Sequence, residues 1–202
     1  MAGVDETIVR EYFEMNGFLV RQLRKYAVQS RAKRSEEEID LMVYNPLWQK
    51  GAAKPDFILF SNQLERVQRA VVIVKGWHSQ RFTPGTLRGS SDIFKFLEKD
   101  VLKKAGELFS VEDTQLADMG GFMKILVMPG LPQHEPHKSQ SIDLLKKAGI
   151  DAILSFRSML QDIVQKLEVN HNYQKSDLLQ VLRILKNYDL IRSEQMELFG
   201  KK

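Results

Sequence analysis

The first apolar residues of the chain recur with helical spacing. Four of them fall on one face of a helix with 3.6 residues per turn: Ile8, Val9, Tyr12 and Phe13. The Asn16-Gly17 pair that follows is a typical helix stop. The pattern therefore predicts an amphipathic helix over residues 5–16.

Four stretches in the first eighty residues have the composition of β-strands, namely 18–26, 39–44, 55–60 and 70–78. The first alternates apolar and polar residues, as a half-buried strand does. The fourth contains an unbroken β-branched run from Val71 to Val74, which is typical of a strand covered on both faces.

After residue 80 the pattern changes to strands that alternate with helices. A turn-rich loop is predicted over 81–91, because it contains Pro84, Gly85 and Gly89. The elements predicted after it are helix 92–109, strand 122–128, helix 141–148, strand 152–156, and helices 159–167 and 176–188, the last capped by Ser176. Because strands that alternate with helices pair in parallel, we predict an α/β fold: a mixed β-sheet flanked by helices, joined by a meander from the residues before 70.

The predicted domain organisation is an α/β core over 1–156 and a C-terminal helical extension over 157–202. The extension is rich in leucine and isoleucine between residues 178 and 185, more than one exposed helix usually carries. Packing of the extension on the core is the preferred explanation. Homodimerisation, or a winged-helix-like contact with DNA, is the alternative.

Composition excludes several classes of protein. The chain has 202 residues, a formal net charge of +4 and no cysteine, so disulfides, thiolate metal sites and cysteine nucleophiles are absent. No run approaches the roughly 18 apolar residues of a membrane-spanning helix, and the amino terminus does not resemble a secretory signal. We therefore expect a cytoplasmic protein without a membrane partner. The slightly basic charge is compatible with a nucleic-acid partner.

The sequence lacks the common nucleotide-binding and hydrolase motifs. There is no P-loop, no Gly-x-Gly-x-x-Gly after a strand and no Gly-x-Ser-x-Gly elbow. His134 and His137 flank Pro136 in a polar loop, where a zinc site is not expected. A small-molecule enzyme therefore has no motif to support it.

The residue that calls for a chemical explanation is Lys75. It follows directly on the apolar run of the fourth strand, where an unpaired ammonium would be costly to bury. Asp40 and Asp56 each lie at the start of a predicted strand, and carboxylates beside a lysine can bind Mg²⁺ and activate water. A lysine that merely ends its strand and reaches solvent is the simpler alternative.

This order of elements and residues resembles the PD-(D/E)xK nuclease superfamily, which includes restriction endonucleases and Holliday-junction resolvases. The resemblance covers about residues 5 to 156. It implies that Glu6, on the helix before Gly17-Phe18, matches the glutamate of the first motif. The metal-binding aspartate is then Asp40 or Asp56, of which we favour Asp40, and Lys75 matches the lysine of the last motif.

The sequence departs from the family at Ile73. The family places an acidic residue two positions before the lysine, on the same face of the strand, and isoleucine cannot bind a metal. Another carboxylate would have to replace it, for which Glu38, Glu98 and Glu107 are the candidates.

The resemblance implies a protein of restriction endonuclease-like fold that binds DNA and hydrolyses phosphodiesters with Mg²⁺ or Mn²⁺. Its catalytic residues would be Lys75, Asp40 and Glu6. A catalytically inactive binding or assembly module is the alternative, supported by Ile73.

The residues predicted to contact nucleic acid lie in two segments. Arg21, Arg24 and Lys25 begin a stretch with six basic and no acidic residues up to Arg34, ahead of the strand that carries Asp40. His78 and Gln80 follow the end of the strand that carries Lys75. A solvated hairpin is the alternative reading of the basic stretch.

Overall fold

A computed structural model describes residues 2–22, 39–78, 81–89, 93–97 and 122–191. Its helices are α1 (Ala2–Met15), α2 (Pro84–Gly89), α3 (His137–Lys147), α4 (Phe156–Lys166) and α5 (Asp177–Asn187). Its strands are β1 (Leu19–Gln22), β2 (Leu41–Tyr44), β3 (Arg69–Val74), β4 (Met123–Met128) and β5 (Ala152–Ser155). Two 3₁₀ helices cover Ser61–Arg66 and Lys95–Leu97.

The strands form one mixed sheet in the order β1-β2-β3-β4-β5. The first three pair antiparallel as a meander, and β4 and β5 continue the sheet in parallel from β3. One row of the register runs from Gln22 through Leu41, Val72 and Ile125 to Ala152. The predicted α/β class, with a mixed sheet flanked by helices, is thereby confirmed.

Each face of the sheet is buried in its own apolar cluster, because successive strand residues point to opposite sides. On one face Val43 and Val72 pack with Phe13 of α1 and with Met159 and Ile163 of α4. On the other face a second cluster joins the sheet to the segment around α2 and to α3, through residues that include Met42, Val71, Ile73, Phe82 and Leu145. Burial of both faces explains the unbroken apolar run of β3.

Helix α1 has the buried face that its sequence predicts. Val9, Tyr12 and Phe13 are fully buried, although the helix begins at Ala2 and ends at Met15. Gly17 then adopts a positive φ of 82°, a conformation that favours glycine, and the N–H of Phe18 bonds back to the carbonyl of Phe13. The predicted stop at Asn16-Gly17 is confirmed.

The predicted strand over 55–60 does not form. Its only ladder contact with other described residues is a single parallel bridge between Ile58 and Ile153, so the segment lies beside β5 without becoming a regular strand. Pro55 has no N–H to donate, and Asp56 bonds instead with the side chain of Gln63.

Several further boundaries differ from the sequence prediction, since α3 begins at His137 and not at 141, and α4 begins at Phe156 and not at 159. The strand predicted over 70–78 ends at Val74, and the loop predicted over 81–91 contains α2. Of the helix predicted over 92–109, the structure describes 93–97, where Lys95–Leu97 is 3₁₀; the remainder lies outside the described residues.

The helices after β5 share the core of the sheet. Helix α4 begins at Phe156 directly after β5, and its Met159 and Ile163 belong to the cluster that also contains Leu179 of α5. Ser176 caps α5 as predicted, accepting the backbone N–H of Leu179 at 3.3 Å. No helix in the described part of the chain is long and apolar enough to cross a membrane.

Candidate functional site at the carboxyl edge of the sheet

Strand direction brings several of the predicted site residues to one edge of the sheet. β1, β3, β4 and β5 run the same way and β2 runs against them, so the carboxyl ends of those four meet the amino end of β2. Asp40 directly precedes β2 and Lys75 directly follows β3. We call this edge, with Asp5, Glu6, Asp40, Lys75 and His78, the carboxyl-edge site.

Asp40 is built into the pairing of β2 with β3. Its backbone N–H donates to the carbonyl of Val72 at 3.1 Å, and its carboxylate Oδ2 accepts the backbone N–H of Val74 at 2.6 Å. The side chain is 1% exposed. Asp40 therefore has a structural role beside any chemical one, since it supplies a side-chain acceptor where the ladder ends.

Glu6 reaches the same edge from α1. It is 4% exposed, and its Oε2 accepts a hydrogen bond of 2.8 Å from Nε2 of Gln22, the last residue of β1. Gln22 lies opposite Leu41, the neighbour of Asp40 in sequence. The fold thus brings two buried carboxylates, one from α1 and one from the start of β2, to adjoining strands.

Lys75 continues the parallel pairing of β3 with β4 by one residue. Its backbone N–H donates to the carbonyl of Val127 at 2.9 Å, and the residue is half-buried. Extending the β2–β3 register by one residue places Asp40 beside Ile73. Ile73 is 1% exposed and belongs to the second apolar cluster, so it is a core residue.

The structure adds a residue that the sequence analysis missed. Oδ1 of Asp5 lies 3.0 Å from Nε2 of His78, joining the first turn of α1 to the segment after β3. Gly76 makes this approach possible, because a Cβ there would overlap the carboxylate of Asp5. A glycine just after a buried strand was the only signal of this contact in the sequence.

Asp56 does not join this site. It is exposed and bonds with Gln63, its Oδ2 accepting from Nε2 at 2.6 Å. The segment that carries it lies beyond β5, four strand spacings from β2, or about 19 Å at the usual interstrand distance. The structure therefore separates Asp40 from Asp56, and one metal ion cannot bridge them.

The residues predicted to contact nucleic acid are only partly described. Arg21 is exposed on β1, opposite Met42, and His78 is exposed after β3. Arg24, Lys25 and Gln80 lie outside the described residues, as do the three candidate replacement acids, Glu38, Glu98 and Glu107.

The carboxyl-edge site fits a divalent cation in ligand type, and one or two protein carboxylates usually suffice for Mg²⁺, with water and phosphate oxygens as its other ligands. Buried carboxylates are the oxygen ligands that Mg²⁺ prefers, and Oε2 of Glu6 and Oδ2 of Asp40 each accept a hydrogen bond at this edge. Within the described ranges, no three Asp, Glu, His or Cys side chains are grouped so as to hold a metal. The acid that the family places two residues before its lysine is replaced by buried Ile73.

A separate cavity of about 590 Å³ lies further along α1. Its wall is formed by α1 residues, the segment 172–176 and Leu179, and it carries two acids and two bases: Glu11, Glu14, Arg10 and Lys175. Partial burial raises the pKa of Glu14. The balanced charge of this cavity favours no particular class of ligand.

Comparison with known proteins finds no matching family model, no matching curated protein and no matching solved structure. The carboxyl-edge site includes a lysine, a histidine and two buried carboxylates at one edge of the sheet, residue types that can bind a phosphodiester directly or through a cation.

Proposed function

We propose that this chain is a DNA-binding protein of restriction endonuclease-like fold that hydrolyses phosphodiester bonds with Mg²⁺ or Mn²⁺ at the carboxyl-edge site. The observation that carries the proposal is that Glu6, Asp40 and Lys75 all lie at the same edge of the sheet. These are the three residues that match the family's motifs, and they come from three different elements.

The arrangement of the sheet supports the same proposal. A helix with the glutamate precedes an antiparallel meander, the aspartate lies at the second strand, the lysine ends the third, and parallel strands follow. This is the order on which the sequence resemblance rests. A likeness of fold does not specify an activity, so the activity depends on the side chains.

The residues of the site have distinct roles in the proposed reaction. Asp40 and Glu6 would each offer one carboxylate oxygen to the cation. A cation held by these carboxylates would supply Lewis-acid polarisation of the phosphate and would lower the pKa of a water bound to it. Lys75 stabilises the negative charge that develops on the phosphate, since a preorganised cation at a half-buried position is more effective than one in water.

A cleavage assay on supercoiled plasmid with Mg²⁺ or Mn²⁺ tests this reaction. Asp40→Asn and Glu6→Gln keep an oxygen for the bonds to Val74 and Gln22, so they remove the charge with little change in packing. We expect each of them, and Lys75→Ala, to lower the rate by about a hundredfold or more. Unchanged rates in all three variants would overturn the assigned site.

Two matched variants control this assay. Asp143→Asn and Lys147→Ala change exposed residues of α3, which are far in sequence from the residues of the carboxyl-edge site. Both variants are expected to cleave the plasmid at the wild-type rate. Asp56→Asn is tested separately in the same assay. A loss of cleavage in this variant would indicate that Asp56, and not Asp40, binds the metal.

A catalytically inactive DNA-binding module is the second candidate, and buried Ile73 favours it. It predicts that a labelled duplex or four-way junction is bound without cleavage, and that Mn²⁺ releases no heat in calorimetry. Micromolar Mn²⁺ binding that is lost in Asp40→Asn would exclude this candidate. Failure to bind either DNA would exclude both candidates.

A homodimer is a further proposal, supported by α5. Val181, Ile184 and Tyr188 form an exposed apolar stripe at positions that share one side of the helix. Sedimentation equilibrium tests it: a mass of twice 23.3 kDa is expected, reverting to the monomer mass in Val181→Glu. A monomer mass for the wild type at micromolar concentration would reject the dimer.

A further inference from the structure

His78 is held in one orientation by contacts on several sides. Its Nε2 lies 3.0 Å from Oδ1 of Asp5, and its backbone N–H donates to the carbonyl of Gly76 at 2.9 Å. Its ring packs edge-on against Phe156, the first residue of α4, with 4.7 Å between ring centroids. An imidazole that is 53% exposed is thus fixed by α1, by its own segment and by α4.

The partner of Nε2 determines which nitrogen carries the proton. An ionised carboxylate only accepts hydrogen bonds, so Nε2 must be the donor to Asp5. In the neutral ring Nδ1 then has a lone pair and no proton. Among the described residues nothing hydrogen-bonds to Nδ1, so this nitrogen remains available to a ligand.

We propose that Asp5 is a positioning residue, and that it holds His78 so that Nδ1–H of the protonated ring donates to a phosphate oxygen of DNA. The inference rests on the proposed DNA-binding function and adds to it that DNA binding requires a proton on His78. With Nε2–H committed to Asp5, a neutral His78 presents a lone pair to the phosphate, which repels it. Only the imidazolium, with a proton on both nitrogens, makes the contact.

DNA affinity should therefore rise as the pH falls. The bound complex holds a proton that the free protein releases as the pH rises through the titration range of histidine, about pH 5 to 8. The charged residues on the elements around His78 are Asp5 and Glu6 on α1, Lys75 on its own segment and Arg157 on α4. Asp5 alone among them bonds to the ring, at Nε2.

His171 provides a matched control elsewhere in the chain. Its Nδ1 pairs with Oε2 of Glu168, also at 3.0 Å, and its side chain is 65% exposed. The two histidines thus share their chemistry and exposure class, while His171 lies in the segment between α4 and α5. A general effect of histidine protonation would involve both residues, whereas the proposed contact involves His78 only.

The test is the affinity for a labelled duplex from pH 5.5 to 8.0, each at several salt concentrations. Wild type should bind about three- to tenfold more tightly at pH 5.5 than at pH 8.0, as expected for a partly exposed charged contact. Its log–log salt slope should be steeper by about 0.9 at the lower pH, since one more cation meets a phosphate. His78→Gln should lose both effects, and His171→Gln should keep both.

A separate pair of variants tests the role of Asp5 in the same binding assay. Asp5→Ala removes the acceptor that fixes the proton on Nε2, so a neutral His78 can carry its proton on Nδ1 and the pH dependence of DNA binding should weaken. Glu168→Ala, the matched change at His171, should leave the pH dependence as it is in the wild type. A purely structural role for Asp5 would change the affinity at every pH alike and leave the pH dependence in place, which would overturn the inference.

Nitrogen NMR separates failure of this inference from failure of the proposed function. Two-bond nitrogen–proton correlations in the free protein should show His78 as the Nε2–H tautomer, and a mixture of tautomers in Asp5→Ala. Absence of DNA binding at every pH overturns the proposed function and the inference with it. DNA binding that is independent of pH, or that is equally pH-dependent in His78→Gln, overturns the inference alone.

Discussion

The carboxylate of Asp40 accepts the backbone N–H of Val74 across β2 and β3, at 2.6 Å and 34 residues apart in sequence. The hydrogen bond fixes the residue before Lys75 against the start of β2. Glu6 does the same for the end of β1 through Gln22. Asp40 and Glu6 therefore hold the strand ends in place through their own hydrogen bonds, and stability and function can be separated by the choice of substitution.

Asp40→Ala should destabilise the protein by about 1–3 kcal/mol, because the partly buried N–H of Val74 loses its acceptor. Asp40→Asn should cost about 1 kcal/mol or less, since the amide oxygen can still accept that bond. Urea denaturation monitored by circular dichroism measures both. Equal destabilisation by the two variants would show that charge, and not the hydrogen bond, gives Asp40 its structural role.

Gly76→Ala should displace the carboxylate of Asp5 and so break its pair with His78. We expect the free energy of unfolding to fall by about 1 kcal/mol, because the pair is lost and a side-chain torsion is strained. In the Asp5→Ala background the same substitution should cost almost nothing, because the atoms it meets are gone. Urea denaturation of the four proteins gives the coupling energy directly.

Gly85→Ala is the control for that cycle. The nearest atom to a Cβ at Gly85 is Oγ1 of Thr83 at 3.7 Å, an ordinary contact. Its effect should be the same with Asp5 present or absent. If the losses of stability caused by Gly76→Ala and Asp5→Ala were additive in the double variant, the close approach of Asp5 to Gly76 would be contradicted.

Lys186→Met should destabilise the junction of α4 and α5 by about 1–2 kcal/mol. The ammonium of Lys186 donates to the carbonyls of Val164 and Leu167, both at 2.7 Å, where the last carbonyls of α4 need partners. Methionine keeps the apolar stem and removes only the charged donor. Lys147→Met, at an exposed site on α3, should stay within about 0.5 kcal/mol of wild type. Matching thermal midpoints for the two variants would remove this role from Lys186.

Replacing Arg21, Arg24 and Lys25 with alanine should weaken DNA binding for all sequences alike. If each residue meets a phosphate, the log–log salt slope becomes shallower by about two to three units. Fluorescence anisotropy at several salt concentrations measures the slope, and circular dichroism checks the fold.

The control for the basic segment removes the same charge elsewhere. Lys50, Lys54 and Lys147 are exposed, and their triple alanine variant lowers the net charge equally. Its salt slope should stay at the wild-type value. Equal slopes for both triple variants would remove the basic segment from the interface.

The local sequence pattern was sufficient to predict those helices and strands whose apolar residues recur at a regular spacing and face the core. The buried face of α1, the strand β4 over Met123–Met128 and the cap of α5 at Ser176 follow from the sequence. Helical spacing, a β-branched run and a side-chain acceptor before a helix act over a few residues each. The alternation after residue 70 likewise determined the parallel half of the sheet.

The sequence was less informative where a segment's fate depended on distant partners. The apolar run at 55–60 looks like a strand, yet it makes one bridge, because Asp56 bonds with Gln63. The run at 70–78 contains no breaker before Gly76, yet β3 ends at Val74 after its last pair with Val127. Strand length is decided by the neighbouring strands, which no local window contains.

The candidate site shows the same division. Glu6, Asp40 and Lys75 could be named from the order of elements, because each is defined by its own helix or strand. The exclusion of Asp56 needed the order of strands in the sheet, and the pairing of Asp5 with His78 joins residues 73 apart in sequence. Sequence patterning determined which side chains face the core, since that depends on local period; only the tertiary structure decided which polar groups meet, since that depends on how distant segments are packed together.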